Sequence, residues 1–326
     1  MSLPARVAYT LLTAYILTFY SEWMFWSGRP PAENFVLEAL PSWLMYAFAT
    51  FLFLTAARYF RVQNIWSVFL VGALYGWLVE GVLVQTMYDD FPLNISWTGL
   101  AWHALISVVF GWWWLPRRLC ALRASQAIIL CLLFGLGLGL WSIGWWGEPD
   151  VSIAAPESVF LYNFTFGLLL IPAYVLWDRF DLADFRPSRV EIVGALIVAV
   201  LYFAFVTVPT QPLALLVLPP LLALVLWALR DWRNRQRVAE ISVKTGTITF
   251  KRALPLLLIP LTASLVYTAA LTAGLNLPTL QALYWITMPL GFIILGMSLF
   301  KSLLGSSRLG NHIDRTRVVG NNAKGD

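Results

Sequence analysis

The chain has 326 residues, of which 60% are hydrophobic and 12% are charged, and its mean hydropathy is +0.73. A soluble domain carries about 25% charged residues. Half that density, together with repeated long apolar runs, excludes an ordinary soluble protein and indicates a membrane protein with several spans. The two cysteines, Cys120 in a basic loop and Cys131 in a span, exclude a disulfide framework and a paired-cysteine metal site.

In chain order, ten apolar runs predict an all-α, polytopic transmembrane helix bundle of about ten spans within residues 1–305. Each run is long enough to cross about 30 Å of hydrocarbon at about 1.5 Å per residue. No small-residue cleavage site follows the first run, so it is interpreted as a retained span. For residues 190–229, one span plus a re-entrant segment is the alternative. The predicted spans are residues 7–27, 39–57, 65–87, 95–115, 126–146, 158–177, 190–208, 211–229, 253–273 and 280–300.

Lysine and arginine are segregated between alternate loops, which predicts the orientation of the chain. All of the 22 basic residues except Arg29 fall in one set of loops, and that set includes both termini. The other set is mainly acidic. Because cytoplasmic loops of membrane proteins are enriched in Lys and Arg, both termini are expected in the cytoplasm, and the chain is expected in the plasma (cytoplasmic) membrane.

The longest basic segment, residues 230–252, is a predicted cytoplasmic loop. A net charge of +5 and a pI near 9.3 also suit a nucleic-acid-binding protein. The positive-inside distribution and contact with anionic headgroups explain this charge without nucleic acid. Membrane lipids are therefore the expected partners, and no nucleic-acid partner is expected. The polar, basic tail, residues 306–326, is predicted to be cytoplasmic and disordered.

The predicted bundle divides into a polar half, about residues 1–177, and an apolar half, about residues 188–305. Every ionisable side chain within a span core lies in the first half, and the last four spans carry none. Many secondary transporters consist of two inverted repeats. No motif recurs between residues 1–150 and 151–300, which lowers the expectation of a transporter.

Three ionisable side chains lie within the predicted span cores: Glu22, Glu80 and His103. Each continues a stripe of small residues at i, i+4 spacing, such as Gly72, Gly76 and Glu80, which directs it towards neighbouring helices. Counted from the predicted outer ends, the three lie roughly 7 to 12 Å below the external boundary. Spans 3 and 4 are joined by a short link, so Glu80 and His103 are expected on facing helices.

Other polar residues are expected to line a substrate cavity beside these three. Asn163 and Tyr162 lie near the outer end of span 6, and Ser107 lies in the small-residue stripe of span 4. Their amide and hydroxyl groups would add hydrogen-bonding positions to the predicted site.

A carboxylate that faces an imidazole is an acid–base pair, in which Glu80 orients His103 or takes a proton from water. Two carboxylates and one imidazole can also hold a divalent metal. The three possible ligands lie on three helices and follow no sequence motif of a known metal site. The sequence therefore does not decide whether the protein binds a metal or any other cofactor. The alternative is a buried Glu–His hydrogen bond that only fixes the register of the helices.

The stretches VEGVLVQ, residues 79–85, and ISWTGLAWH, residues 95–103, resemble parts of the CAAX-prenyl-endopeptidase-like intramembrane proteases. That family carries a Glu-Glu-x-x-x-Arg helix and then a helix with an aromatic residue four positions before a histidine. This chain has Val79, Val84 and Gly99 where the family has the first glutamate, the arginine and the aromatic residue. The resemblance covers under a tenth of the chain, and the chain is not assigned to that family.

Three hypotheses for the function follow. The favoured one is a membrane-embedded enzyme that acts on a lipid-like or peptide substrate from the outer leaflet, with Glu80 and His103 as acid and base and Glu22 in support. The second is a proton-coupled secondary transporter of a small or cationic solute, because the acidic outer loops attract cations. The third is a structural or accessory subunit of a membrane complex, in which the buried ionisable residues fix packing.

Overall fold

Ten long helices follow the ten apolar runs in a computed structural model of the chain. The structure describes residues 1–24, 34–147, 152–235, 246–275 and 279–320, and within these ranges it contains no strand. The helices are α1 (Leu3–Thr18, continued by Phe19–Trp23), α2 (Phe35–Tyr59), α3 (Ile65–Leu78, continued by Val79–Leu83), α4 (Asn94–Ala121), α5 (Ala124–Gly144, continued by Trp145–Gly147), α6 (Pro156–Trp177), α7 (Arg189–Thr210), α8 (Ala214–Arg235), α9 (Phe250–Thr272) and α10 (Thr279–Gly320).

Within the described residues, nine helices, α2 to α10, are long and apolar enough to cross a membrane. They indicate a membrane protein. The prediction of ten spans differs at α1, which is not among the nine. This helix combines Arg6 and Glu22 with several Thr and Tyr side chains, and these lower its hydropathy. The number of membrane crossings and the side of each terminus stay predictions.

Helices extend further into two predicted loop regions than the sequence indicates. α8 ends at Arg235 and α9 begins at Phe250, so both ends of the predicted basic loop 230–252 are helical, and residues 236–245 lie outside the described part. α10 continues to Gly320, into the predicted tail of residues 306–326, and the disorder of that tail stays a prediction. A formed helix propagates at little cost per residue, and no proline follows Pro289 to end it.

Loops that are predicted to be cytoplasmic lie together at one end of the bundle. The Met1 ammonium donates a hydrogen bond to the carbonyl of Asp184 at 3.1 Å, and Arg58 Nε donates to the carbonyl just before it at 3.0 Å. At the opposite end, the Tyr284 hydroxyl donates to Asp90 Oδ2 at 2.7 Å. The polar and apolar halves are parts of one bundle, since α10 packs on α3 and α4, and α9 packs on α5 and α6.

The position of each helix in the bundle follows its burial. α3 and α4 are the most buried of the nine apolar helices, and they pack extensively against each other. α7 is the least buried and exposes large apolar side chains such as Val190 and Phe205. The centre of the bundle is therefore the α3–α4 pair, which carries Glu80 and His103.

Candidate functional site

Glycines allow α3 and α4 to cross closely between Glu80 and His103. A Cβ atom at Gly76 would overlap the Gly99 carbonyl oxygen, so the two backbones are in contact there. Because the helices are antiparallel, Glu80 lies one turn beyond the crossing in one direction and His103 one turn beyond it in the other. Helical side chains incline towards the N-terminus of their own helix. The carboxylate and the imidazole therefore point back at each other across the crossing.

The two side chains are in hydrogen-bonding contact. His103 Nε2 lies 2.6 Å from Glu80 Oε1, and the two residues are only 1% and 5% exposed. Glu22 of α1 joins them, because one donor atom from each of the three residues lies within 4.8 Å of the others. Glu22, Glu80 and His103 are named the Glu–His cluster below. Three different helices thus bring two carboxylates and one imidazole to a single point.

Hydroxyl groups bind the carboxylates of the cluster from outside. Thr86 donates a hydrogen bond to Glu80 Oε2, and Tyr46 of α2 donates one to Glu22 Oε1. Each bond fixes the orientation of one carboxylate, and the other lone pairs of that carboxylate stay available as acceptors within the cluster. Sequence reasoning missed both residues. The only signal for Tyr46 is its i, i+4 spacing to Thr50 on α2, and Thr86 has none.

Each residue of the cluster lies in a π-helical segment. A π-helical turn is wider than an α-helical turn, and such turns are rare and frequently occur at functional sites. The segment of α4 is unusually long, at 18 residues. Three of the four π-helical segments among the described residues therefore carry the ionisable side chains of the span cores, and the fourth, Phe203–Thr207 in α7, carries none. The three segments of the cluster are Phe19–Trp23 in α1, Val79–Leu83 in α3 and Trp97–Trp114 in α4.

Side chains satisfy the backbone carbonyls that follow Glu80. The last turn of a helix leaves its carbonyls without internal partners. The Tyr88 hydroxyl donates to the Gly81 carbonyl at 2.8 Å, and the Thr207 hydroxyl of α7 donates to the Val82 carbonyl at 2.8 Å. Burial raises the pKa of Tyr88 to about 12, so the phenol keeps its proton at neutral pH. These bonds hold the end of α3, and with it the position of Glu80.

A tight reversal after α3 returns Thr86 to Glu80. Gln85 has a φ of 73° in the left-handed region, which ends the helix, and a 3₁₀ turn, Thr86–Tyr88, follows. Asn94 Nδ2 then donates to the Thr86 carbonyl at 3.0 Å and fixes that turn against the start of α4. The link between the two helices therefore joins the spans and also supplies a hydrogen-bond donor, Thr86, to the Glu80 carboxylate.

Buried polar atoms around the cluster lack hydrogen-bond partners of normal geometry among the described residues. They include His103 Nδ1 and the hydroxyls of Tyr75 and Ser107. The Tyr75 ring meets the imidazole edge-on, with 5.9 Å between ring centroids, and the Tyr46 ring lies 6.0 Å from it. The cluster thus offers further donors and acceptors to a water molecule or a ligand.

The predicted cavity residues are only partly brought together. Ser107 is buried one turn after His103 on α4. Asn163 donates instead to the Ser264 hydroxyl of α9 at 3.3 Å. The Tyr162 ring packs on Phe166, with 4.9 Å between centroids, and lies near enough to Glu22 to interact with it electrostatically.

The nine apolar helices indicate a membrane protein, and the Glu–His cluster is its one group of two carboxylates and an imidazole within the described residues. Carboxylate and imidazole groups at these distances can exchange protons, hold a water molecule or bind a cation. No model of a known protein family, no curated protein and no solved structure matches the chain.

Proposed function

We propose that the chain is a membrane-embedded hydrolase that cleaves an ester or amide bond of a lipid-like or peptide substrate at the Glu–His cluster. One observation carries the proposal. Donor atoms of Glu22, Glu80 and His103 come within 4.8 Å of one another, from three helices that each leave α-helical geometry at that residue. Such convergence of polar groups at local backbone irregularities is typical of functional sites.

The reaction divides between the carboxylates and the imidazole. A carboxylate of the cluster removes a proton from a water molecule while the water oxygen attacks the carbonyl carbon of the substrate. The proton that His103 and Glu80 share then passes from His103 to the departing alcohol or amine, and the carbon–oxygen or carbon–nitrogen bond breaks. The buried Tyr75 hydroxyl can donate a hydrogen bond to the oxyanion that forms during attack.

A purely structural role accounts for fewer of these features. A Glu–His hydrogen bond between two regular α-helices would already fix their register. Here a second carboxylate, Glu22, lies beside the pair, and ionisable groups are costly in the interior of a membrane. The hydroxyls of Tyr46 and Thr86 orient the carboxylates of Glu22 and Glu80. This favours a site in which the carboxylate oxygens take part in the chemistry.

We propose that the protein lies in the plasma membrane with both termini in the cytoplasm, and that the cluster lies in the outer half of the membrane. The positive-inside distribution supports this orientation. So does the clustering of Met1, Arg58 and the loop after α6 at one end of the bundle, opposite Asp90. A substrate that enters from the outer leaflet reaches Glu80 at the outer end of α3.

Hydrolysis is tested in proteoliposomes with two apolar probes, p-nitrophenyl palmitate and a quenched fluorescent transmembrane peptide. The wild-type protein is expected to cleave at least one probe. Glu80→Gln and His103→Gln are expected to lower the rate by about 10²- to 10⁴-fold, because each removes a proton-transfer group. Glu38→Gln, on an exposed position of α2, is the matched control and should retain the wild-type rate.

Two other outcomes contradict the proposal. Equal rates for the wild type and the Glu80→Gln variant would assign the cleavage to something other than the cluster. If neither probe is cleaved and the wild type, but not Glu80→Gln, dissipates an imposed pH gradient, the cluster serves proton-coupled transport.

A further inference from the structure

We propose that the Glu–His cluster binds one divalent transition-metal cation, with zinc as the expected ion. The inference deepens the proposed function and rests on the same site, since a metal-bound water is a stronger nucleophile than a free one at neutral pH. Metal binding is nevertheless measured without a substrate, so the two proposals can fail separately.

The spacing of the donor atoms suits a metal with three protein ligands. Zinc binds carboxylate oxygen and imidazole nitrogen at about 2.0–2.2 Å, so two ligands of a tetrahedral site lie about 3.4 Å apart. His103 Nε2 and Glu80 Oε1 lie 2.6 Å apart, and all three donor atoms lie within 4.8 Å of one another, so the three side chains can surround one ion after small movements. The cation then replaces the proton between Glu80 and His103. With zinc bound, these side chains act as ligands instead of acid and base: a zinc-bound hydroxide attacks the carbonyl carbon and its proton passes to the leaving group.

The charge of the donor set matches a divalent ion. Two carboxylates and a neutral imidazole carry a formal charge of −2, so a divalent cation gives a neutral site. Neutrality matters because Glu80 and His103 are almost fully buried and net charge is costly in a low-dielectric interior. Two oxygens and one nitrogen favour zinc, manganese or ferrous iron over cuprous copper, which prefers sulfur.

Outer hydrogen bonds orient the ligands as they do in known metal sites. Carboxylate ligands are usually held by a second hydrogen-bonding group. Here Tyr46 holds Glu22 and Thr86 holds Glu80, each through the hydroxyl. Both bonds go to the carboxylate from outside the cluster, so each glutamate has oxygen lone pairs left for a cation.

A buried phenol beside the cluster supplies a further polar group for a ligand. Tyr75 is 1% exposed, and its hydroxyl lies next to that of Thr50 without a hydrogen bond of normal geometry to any described residue. The hydroxyl lies close enough to Glu22 and Glu80 to interact with both charges, and the ring meets His103 edge-on. It is placed to bind the water or substrate oxygen at the fourth position, which catalytic zinc sites leave open.

Zinc binding is tested on the full chain, purified in detergent through a tag without histidine. The protein is incubated with Zn²⁺ or Co²⁺ and desalted, and bound metal is measured by mass spectrometry. The wild type is expected to retain about one ion per chain, and Co²⁺ is expected to show the d–d absorption of a low-symmetry oxygen–nitrogen site. His312→Gln is the control for His103→Gln, because these are the two histidines of the chain. Glu38→Gln is the control for the two glutamates.

Graded variants distinguish metal binding from misfolding. Loss of Glu22, Glu80 or His103 is expected to abolish retention, and both controls should bind like the wild type. Tyr46→Phe and Thr86→Val should lower the affinity about 10- to 100-fold. If the ligand variants do not fold, a rise in the thermal midpoint of the wild type with added Zn²⁺ still reports binding to the folded state.

Two results overturn the inference. One is a wild type that retains no more Zn²⁺ than a Glu22→Gln/Glu80→Gln double variant and gains no stability from it. The other is retention lost in His312→Gln instead of His103→Gln. If the wild type binds no zinc and hydrolysis still depends on Glu80, the metal inference fails and the hydrolase stands. If zinc binds and neither probe is cleaved, the reverse holds.

Discussion

Replacing Gly76 by alanine tests the helix crossing that assembles the cluster. The added Cβ would overlap the Gly99 carbonyl oxygen, which belongs to the backbone, so no side-chain rotation relieves the clash. α3 and α4 must separate or shift, and Glu80 and His103 lie one turn to either side of the contact. The substitution therefore affects both the stability of the bundle and the 2.6 Å contact between the two side chains.

The expected loss of stability follows from two opposing terms. Overpacking of a tightly packed interior costs about 1–3 kcal/mol. Alanine recovers up to about 1 kcal/mol relative to glycine through its helix propensity. A clash between two backbones lies at the upper end of the first range, so the net destabilisation expected for Gly76→Ala is about 2 kcal/mol.

Thermal unfolding in detergent, followed by tryptophan fluorescence, measures this difference against Gly137→Ala. Gly137 lies on α5, and a Cβ added there would meet no atom of another helix within 4 Å. That variant should unfold at or slightly above the wild-type temperature, whereas Gly76→Ala should unfold lower and bind less zinc. Equal stability and equal zinc retention in the two variants would refute the proposed close crossing.

Two further predictions concern the supports of α3 and α7. Tyr88→Phe and Thr207→Val each leave a buried carbonyl without its donor and should lower stability by about 1–3 kcal/mol in thermal unfolding, whereas Thr165→Val, at an exposed site, should not. Arg6→Gln breaks an ion pair that joins α1 to α7, in which Arg6 Nη2 lies 2.7 and 2.8 Å from the two carboxylate oxygens of Glu191. It should accelerate hydrogen exchange in α7 at a stability cost below about 1 kcal/mol, and unchanged exchange would contradict this.

The helices were predictable because the length of an apolar run alone determines whether it can span a membrane. All ten predicted spans overlap a long helix of the structure. α1 is less predictable, because Arg6 and Glu22 lower the hydropathy of a helix that nevertheless packs against α2, α4 and α6. The length of α10 is also less predictable, because no hydrophobic pattern marks where a continuing helix ends.

The candidate site was predictable only in part. The small-residue stripes indicate which faces of α3 and α4 meet, and Glu80 and His103 lie on those faces. The partners Tyr46 and Thr86 depend on rotamers and on the reversal at Gln85, which leave no periodic signal in the sequence. The hydrogen bond of Asn163 to Ser264 joins residues 101 positions apart, so sequence proximity to a span end was a poor guide to its environment.

The backbone around Glu80 is consistent with the proposed functional cluster. Helix ends and irregular turns inside a membrane must be compensated, because no water satisfies the exposed backbone groups. Here the hydroxyls of Tyr88 and Thr207 donate hydrogen bonds to the carbonyls of Gly81 and Val82. Register needs no such placement, whereas proton transfer and metal binding need donor atoms fixed to within about 0.5 Å. These two side-chain bonds lie in the turn that carries Glu80 and hold the position of its carboxylate.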